Sequence, residues 1–241
     1  MPTSVVRRLI NAPLNRLAIA LGVRIERHRA AIGRATLPAF ATDATGLVMM
    51  PPFELRHPRR ISIGRDVRLG PNCSLKLTTR YPGPWMASRD GRHIEQEFDP
   101  HLIIGDRVTA TSALQVTVYD SVIIDADVLF ASNVYLSDGS HSLARGDRPY
   151  KYQGIDRVSP VRIGRGAWIG QNAVILPGVT IGAFAVIGAN SVVTADVPAG
   201  AIAVGAPAKV VRLWDPSAEA WTRVGDGRSS ERVLNPEGAR P

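Results

Sequence analysis

The sequence predicts an all-β solenoid of short strands and tight turns, with three strands in each coil. The main observation is a strict six-residue repeat over residues 163–198, whose first positions are Ile163, Ile169, Ile175, Ile181, Ile187 and Val193. A period of six is neither the 3.6 of an α-helix nor the alternation of a single strand. The composition agrees, because Gly (22) and Pro (18) are plentiful while aromatic residues make up only 6% of the 241 residues.

The remaining positions of the repeat predict how the coils pack. Position two is Gly in four of the six units, and we expect these glycines to let the backbone turn without a Cβ clash. Position five is small or β-branched throughout, at Ala167, Ala173, Val179, Ala185, Ser191 and Val197. Positions one and five are therefore predicted to point into the interior of the coil.

The same period occurs earlier with interruptions. It is carried by Ile63, Leu69, Leu75, Ile104, Ile124, Phe130 and Leu136. Two non-repetitive segments, near 76–101 and 137–160, are predicted to leave the coil as surface loops. We expect a repeat domain over 61–212, preceded by a helical and extended segment (1–60) and followed by a polar tail (213–241).

The amino-terminal segment predicts a helix around residues 4–32. Its apolar residues at near-helical spacing are Val5, Ile10, Leu14, Leu17, Leu21 and Ile25, and arginines lie between them. We favour a helix that caps or docks against the main domain, because Pro13 interrupts the pattern. The alternative is contact with an anionic lipid surface, so we expect peripheral membrane contact at most. No secretory signal or membrane span is evident.

The charge balance favours anionic partners, with 29 Lys and Arg against 21 Asp and Glu. Nucleic acid is not expected, because no zinc-finger or RNA-reading motif occurs and aromatic residues do not alternate with the basic ones. The single cysteine, Cys73, occupies an inward position five and is predicted to be a small core residue. A lone cysteine fits a reducing compartment, so we expect a cytoplasmic protein.

Several stretches together carry a family resemblance: "WIG", "ILPGVTIG", "IGANSVV" and "GAPAKVVR". Residues 61–212 resemble the hexapeptide-repeat acyltransferases, and among them the acetyltransferases that modify sugars, such as galactoside and maltose acetyltransferases and the O-acetyltransferases of surface-polysaccharide synthesis. The resemblance implies a left-handed parallel β-helix, a homotrimer, acetyl-CoA as the acyl donor and a saccharide acceptor.

The resemblance also implies a catalytic base in the stretch "YLSDGSHSLARGD" (135–147), where the family's histidine falls on His141. Imidazole has an ordinary pKa of about 6.5, so it can accept the proton of an attacking hydroxyl and return it to the leaving thiolate. Asp120 and Asp138 are candidates to orient this imidazole or to bind a sugar hydroxyl, and solvated turn residues are an equal alternative.

The other histidines match no family motif. His28 and His57 precede the repeat, while His93 and His101 lie in or beside the first interruption and could approach a substrate. The family's acceptor-contacting asparagine falls on Thr111, which leaves the identity of the acceptor open.

By the same resemblance, a groove between coils would hold acetyl-CoA. Its expected lining residues are Trp168, Gly170, Gln171 and Ala189, with Thr194 toward the nucleotide end and Lys209 and Arg212 on the phosphates. A further basic position of the family is Ala195 here, so the phosphate contacts differ from the family pattern.

These features favour an acetyl-CoA-dependent O-acetyltransferase acting on a saccharide hydroxyl. N-acetylation of an amino sugar is the close alternative, and a non-catalytic scaffold is the more distant one. A zinc enzyme on this solenoid needs three converging histidines, and only His141 lies in the right region, so no metal is expected. Serine acetyltransferase is less favoured, because that group carries an amino-terminal helical domain longer than residues 1–60.

Overall fold

The computed structural model describes residues 3–83, 92, 94–144 and 146–224, and the side chains of residues 3–15 and 18 are not among the described groups. The chain begins with the helix α1 (Thr3–Thr36), which continues through Pro13 and past residue 32, where the sequence pattern had placed its end. In the part of the chain that is described, no helix is long and apolar enough to cross a membrane.

After α1 the chain winds through three sheets, and each complete coil adds one strand to each sheet in parallel register. Sheet A contains β1 (Val48–Met49), β4 (Arg68–Leu69), β9 (Thr109–Ala110), β12 (Leu129–Phe130), β17 (Trp168–Ile169), β20 (Val186–Ile187), β22 (Ala201–Gly205), β23 (Ala208–Asp215) and β24 (Ala220–Arg223). Sheet B contains β2 (Phe53–Arg56), β5 (Cys73–Leu77), β10 (Gln115–Val118), β13 (Tyr135–Ser137), β18 (Val174–Ile175) and β21 (Val192–Val193). Sheet C contains β3 (Ile61–Ile63), β8 (His101–Ile104), β11 (Ser121–Ile124), β16 (Val161–Ile163) and β19 (Thr180–Ile181). This is a β-helix, as the period predicted.

The interior of the coil is filled by the two positions that the repeat singled out. First positions such as Ile169 and Ile175 and fifth positions such as Ala167 and Ala173 are 0% exposed. Burial of one aliphatic column in every sheet supplies the hydrophobic stabilisation that short two-residue strands lack by themselves.

The glycines at position two begin the turns, since the carbonyl oxygens of Gly164 and Gly170 accept hydrogen bonds from the N–H groups of Ala167 and Ala173, both at 3.2 Å, but they do not adopt the left-handed conformation. The left-handed backbone conformation occurs at position four instead, for example at Asn172 (φ 58°) and Asn190 (φ 57°). A Cβ on Gly164 would lie 2.5 Å from the backbone nitrogen of Ala183 in the next coil. Position two is therefore glycine because neighbouring coils approach closely there.

The paired strands extend on both sides of residues 61–212. The parallel stack already begins at β1, and Met49, Leu55 and Ile61 carry the six-residue spacing upstream. At the other end, β22, β23 and β24 form an antiparallel extension of sheet A that reaches Arg223. The described part of residues 213–241 thus contributes to two strands of the sheet.

The two interruptions form more than loops. The first contains the antiparallel pair β6 (Arg80–Tyr81) and β7 (Gln96–Glu97), and the second contains the antiparallel pair β14 (Gly139–His141) and β15 (Ile155–Val158). Short three-ten helices lie at Pro58–Arg60 and Tyr150–Tyr152. Both strand pairs follow a strand of sheet B, since β6 comes after β5 and β14 comes after β13.

Candidate active site

His141 lies at the end of β14 and faces a cavity of about 900 Å³. The cavity is lined by Arg56, His57, Lys76, Leu77, Thr78, Thr79, Arg80, Tyr81, Pro82, Gly83, Glu95, Thr117, Tyr119 and His141. These residues come from sheet B and from both interruptions, so the cavity forms only when distant parts of the chain meet. The His141 side chain is exposed and can contact a bound substrate.

Tyr81 packs against His141 from the first interruption. Their ring centroids are 5.6 Å apart in an edge-to-face arrangement, which is favourable for aromatic rings. The Tyr81 ring is 3% exposed, and its hydroxyl donates a 2.6 Å hydrogen bond to the carbonyl oxygen of Lys151. The imidazole therefore contacts a buried, hydrogen-bonded side chain, and both residues line the cavity.

Tyr119 provides a second phenol on the cavity wall. Its ring packs edge-to-face on Phe98 at 5.1 Å, and it lies so close to Gly139 that a Cβ there would overlap the ring. Burial raises the pKa of Tyr119 to about 12, so its hydroxyl stays un-ionised over the range in which an imidazole titrates. Tyr119 can act as a neutral hydrogen-bonding group for an acceptor.

The structure gives the two aspartates different environments. Asp138 is 0% exposed, and its carboxylate accepts hydrogen bonds from the backbone N–H groups of Tyr119 and Asp120, both at 2.8 Å. Burial raises the pKa of Asp138, and the backbone N–H donors partly offset that rise. A buried carboxylate with these partners does not reach the cavity. Asp120 is exposed, and it is absent from the described cavity lining.

A second histidine, His57, also lines the cavity, although it precedes the repeat recognised in the sequence and matches no family motif. His57 adopts a left-handed conformation (φ 54°), and its Nε2 lies 3.3 Å from the hydroxyl oxygen of Thr79. Arg56 precedes it and pairs in register with Lys76 across β2 and β5. The signal that could have found this region is the six-residue spacing upstream of residue 61, which places β2 in sheet B.

The other candidates near the first interruption lie elsewhere. His101 is exposed at the start of β8, and Thr111 is exposed with its hydroxyl donating to the carbonyl oxygen of Phe130 at 3.3 Å. Neither of these described residues lines the cavity. His28 is exposed on α1. His93 lies outside the described residues.

Three of the seven residues expected to contact acetyl-CoA lie on strands of sheet A, namely Trp168, Lys209 and Arg212. Strand register aligns Trp168 with Val186, Val186 with Ile202 and Ile202 with Arg212, which places Trp168 and Arg212 in one row. Trp168 is 51% exposed. Gln171, Ala189 and Thr194 are exposed in the turns and connections, and Gly170 is buried against the backbone of Ala189.

A register shift brings Lys209 onto the same face as Arg212. Two residues three apart on a regular strand point to opposite faces. Here the pairing of β22 with β23 shifts between Ile202 and Ala203, so Arg212 faces Ile202 while Lys209 faces Val204. Both cations therefore lie on the outward face of the sheet, as phosphate contacts would require.

Cys73 points inward and is 1% exposed, as predicted, and burial raises the pKa of its thiol. Among the described residues, no group of three or more His, Cys, Asp and Glu side chains is placed to hold a metal ion.

The sequence of the final coils matches a known family model. Residues 160–195 match the bacterial transferase hexapeptide model, which describes six repeats. These residues therefore carry the hexapeptide repeat that the model describes.

Two relatives are similar over a longer part of the chain. A protein described as a probable acetyltransferase in Mycobacterium tuberculosis is 36% identical over 174 residues, which cover 69% of this chain and 57% of that protein. A protein of Escherichia coli K12 named as a candidate lipopolysaccharide biosynthesis O-acetyl transferase is 30% identical over 129 residues, or 51% of this chain and 66% of that protein. The chain thus spans less than two thirds of either relative.

A solved structure shows the same fold. A mutant of AntD, an N-acyltransferase from Bacillus cereus described in complex with dTDP and coenzyme A, superposes with a TM-score of 0.57 at 17% identity. The match covers 75% of this chain and 87% of AntD. At this identity the likeness concerns the hexapeptide-repeat fold alone.

Proposed function

We propose that this protein is an acetyl-CoA-dependent acetyltransferase that moves an acetyl group to a saccharide hydroxyl in the synthesis of a glycan. The observation that carries the proposal is the exposed imidazole of His141 on the wall of a cavity large enough for a sugar. The name of the Escherichia coli relative supports a hydroxyl as the acceptor group.

The chemistry assigned to His141 is general acid–base catalysis. Its imidazole accepts the acceptor's hydroxyl proton as the hydroxyl oxygen forms a bond to the thioester carbonyl carbon. When the carbon–sulfur bond breaks, the imidazolium returns that proton to the thiolate sulfur. The products are an ester and a free thiol, and no covalent acyl-enzyme is needed, which agrees with the inward position of Cys73.

Acetyl-CoA supplies the acyl group as an activated thioester. We assign its binding to the outward row of sheet A, where Trp168 offers an exposed aromatic surface and Gly170, Gln171 and Ala189 lie near it. Thr194 follows β21 of sheet B and is assigned to the nucleotide end by the family resemblance alone. Lys209 and Arg212 share one face and are assigned to the phosphates, since cations bind phosphate through charge-assisted hydrogen bonds.

This assignment calls for more than one copy of the chain. The His141 cavity lies beside sheet B, whereas the acetyl-CoA row lies on sheet A, and none of the row's described residues lines the cavity. We therefore propose that neighbouring copies supply the two halves of each site. A homotrimer of left-handed coils in the cytoplasm is the arrangement that the family resemblance favours.

The test is acetyl transfer measured as thiol release from acetyl-CoA with a panel of neutral, phosphorylated and amino sugars. Wild type should release thiol with at least one sugar that offers a free hydroxyl, and His141→Ala should lower the rate by about a hundredfold or more. His101→Ala is the matched control, because His101 is an exposed histidine outside the described cavity lining.

Three results would contradict the proposal. Equal rates for wild type and His141→Ala would show that His141 is not the base. If none of the sugars in the panel caused thiol release, the proposed reaction would be wrong. If the product were always an amide formed on the amine of an amino sugar, the reaction would be N-acetylation with the same base, not O-acetylation.

A further inference from the structure

We propose that the first interruption positions the His141 imidazole through two residues, Gln96 and Tyr81. This inference rests on the proposed role of His141 as the base. Neither residue need touch the reacting atoms, so both are positioning residues. The evidence is a closed circuit of four residues, in which Tyr81, Gln96, Ile155 and His141 each contact the next and His141 contacts Tyr81 again.

The first half of the circuit is the contact between the two interruptions. The Gln96 side-chain amide makes two hydrogen bonds to the backbone of Ile155, one accepted by Oε1 from the Ile155 N–H and one donated by Nε2 to the Ile155 carbonyl, both at 2.7 Å. The primary amide of Gln96 thereby acts as an additional strand partner. Ile155 is 3% exposed, so losing this pairing would leave two buried backbone groups without partners.

The second half of the circuit consists of strand pairs. Ile155 is the register partner of His141 in the β14–β15 pair, and Tyr81 is the register partner of Gln96 in the β6–β7 pair. The Tyr81 ring then returns to the His141 imidazole at 5.6 Å. The backbone of His141 is thus held by Ile155, while its side chain is held by Tyr81.

Gly154 supports this arrangement. Its φ of +83° is a conformation that favours glycine, and a Cβ at this position would overlap Oε1 of Gln96. The residue before Ile155 is therefore small enough to let the Gln96 amide approach the backbone.

The circuit limits the motion of a side chain that is otherwise exposed to solvent. An exposed imidazole samples several rotamers, and fixing one of them costs conformational entropy. Tyr81 is tied to Lys151 by its hydroxyl and to Gln96 by its backbone, so the contact surface it offers is itself fixed. A base held in this way is preorganised for proton transfer.

The experiment uses the full chain with carbon-13-labelled histidine. The His141 ring signal is assigned by its loss in His141→Gln. Gln96→Met keeps the length of the side chain but removes both hydrogen bonds to Ile155. Tyr81→Leu removes the ring, whereas Tyr81→Phe keeps the ring and loses only the bond to Lys151. Gln115→Met is the control, because Gln115 is an exposed glutamine on β10 outside the described cavity lining.

We expect faster motion of the His141 ring in Gln96→Met and Tyr81→Leu, a smaller change in Tyr81→Phe and none in Gln115→Met. The value of kcat should fall about tenfold to a hundredfold in the first two variants. The KM for acetyl-CoA should stay within about twofold. The pH–rate profile should keep its shape, because the base is unchanged.

The proposal would be overturned if the His141 ring were equally ordered in wild type, Gln96→Met and Tyr81→Leu. It would also be overturned if Gln115→Met lost as much kcat as Gln96→Met. If Gln96→Met does not fold, Gln96→Glu keeps the acceptor for the Ile155 N–H and serves in its place. Ring motion is measured without turnover. A wild-type protein that transfers no acetyl group would therefore refute the proposed function while the ring measurement still decides the positioning role.

Discussion

The buried carboxylate of Asp138 accepts a 2.8 Å hydrogen bond from the backbone N–H of Tyr119, and a second one from the next N–H along the chain. Asp138 follows β13 and lies three residues before His141. Its two hydrogen bonds connect the end of β13 to the turn after β10. Asp138, one of the two aspartates predicted to orient the imidazole or to bind a sugar hydroxyl, is thus held by two backbone N–H groups.

The first prediction concerns this carboxylate. Asp138→Ala leaves two backbone N–H groups without their acceptor, and it should lower the free energy of unfolding by about 3 kcal/mol. Asp138→Asn should cost less, because one amide oxygen can still accept. Chemical denaturation measures both changes. Asp120→Ala is the control, since the Asp120 backbone N–H is retained and its side chain is exposed; an equal loss in both alanine variants would contradict the role of Asp138.

The second prediction concerns Cys73. Burial raises the pKa of its thiol and shields the sulfur, so the native protein should react with an aromatic disulfide reagent far more slowly than the protein unfolded in guanidinium. Cys73→Ala should retain acetyl transfer. Rapid labelling of the native protein together with loss of turnover in the variant would point to a covalent role for the thiol.

The third prediction concerns ion pairs between neighbouring coils. The backbone N–H of Arg65 and then its side chain lower the pKa of Asp106, while the hydrogen-bonded side chain of Arg107 lowers the pKa of Asp127. A carboxyl with a depressed folded pKa stabilises the protein above its unfolded value of about 4, and that contribution is lost as the pH falls through the folded pKa.

The Tm should therefore fall between about pH 5 and pH 3. Asp106→Asn with Asp127→Asn should make that fall shallower than in wild type. The measurement is thermal unfolding at a series of pH values, and parallel curves for the two proteins would contradict this source of acid sensitivity.

The fourth prediction concerns glycine at position two. Gly164→Ala places a Cβ 2.5 Å from the Ala183 nitrogen, and the backbone cannot yield cheaply, so the protein should lose about 1–3 kcal/mol of stability. Gly22→Ala is the control on α1, where nothing lies within 4 Å, and alanine should be neutral or stabilising by up to about 1 kcal/mol. Equal effects would show that close approach of the coils is not the reason for glycine.

The fifth prediction concerns Lys209 and Arg212. Removing both cations should raise the dissociation constant for coenzyme A by about tenfold or more, because each phosphate contact is a charge-assisted hydrogen bond. Calorimetric titration measures the change. Arg65→Gln provides a control on a cation that is paired with Asp106. An unchanged dissociation constant in the double variant would place the phosphates elsewhere.

Much of the fold followed from the sequence because the repeat is local. Ile169 and Ala173 had to point inward wherever the coil ran, and the structure buries both. The site followed less completely. His141 was assigned through the family resemblance and its role stays a prediction, whereas His57 was set aside because it precedes the recognisable repeat.

The six-residue period by itself determined the coil, its interior columns and the inward position of Cys73, because the direction of a side chain in a short strand depends only on its place in the repeat. Only the tertiary structure decided that Gln96 pairs with Ile155, that His57 shares the cavity with His141 and that a shifted register turns Lys209 toward the face of Arg212. Those relationships join residues that are distant in the chain or displaced by an irregular strand, and no periodic signal specifies such contacts.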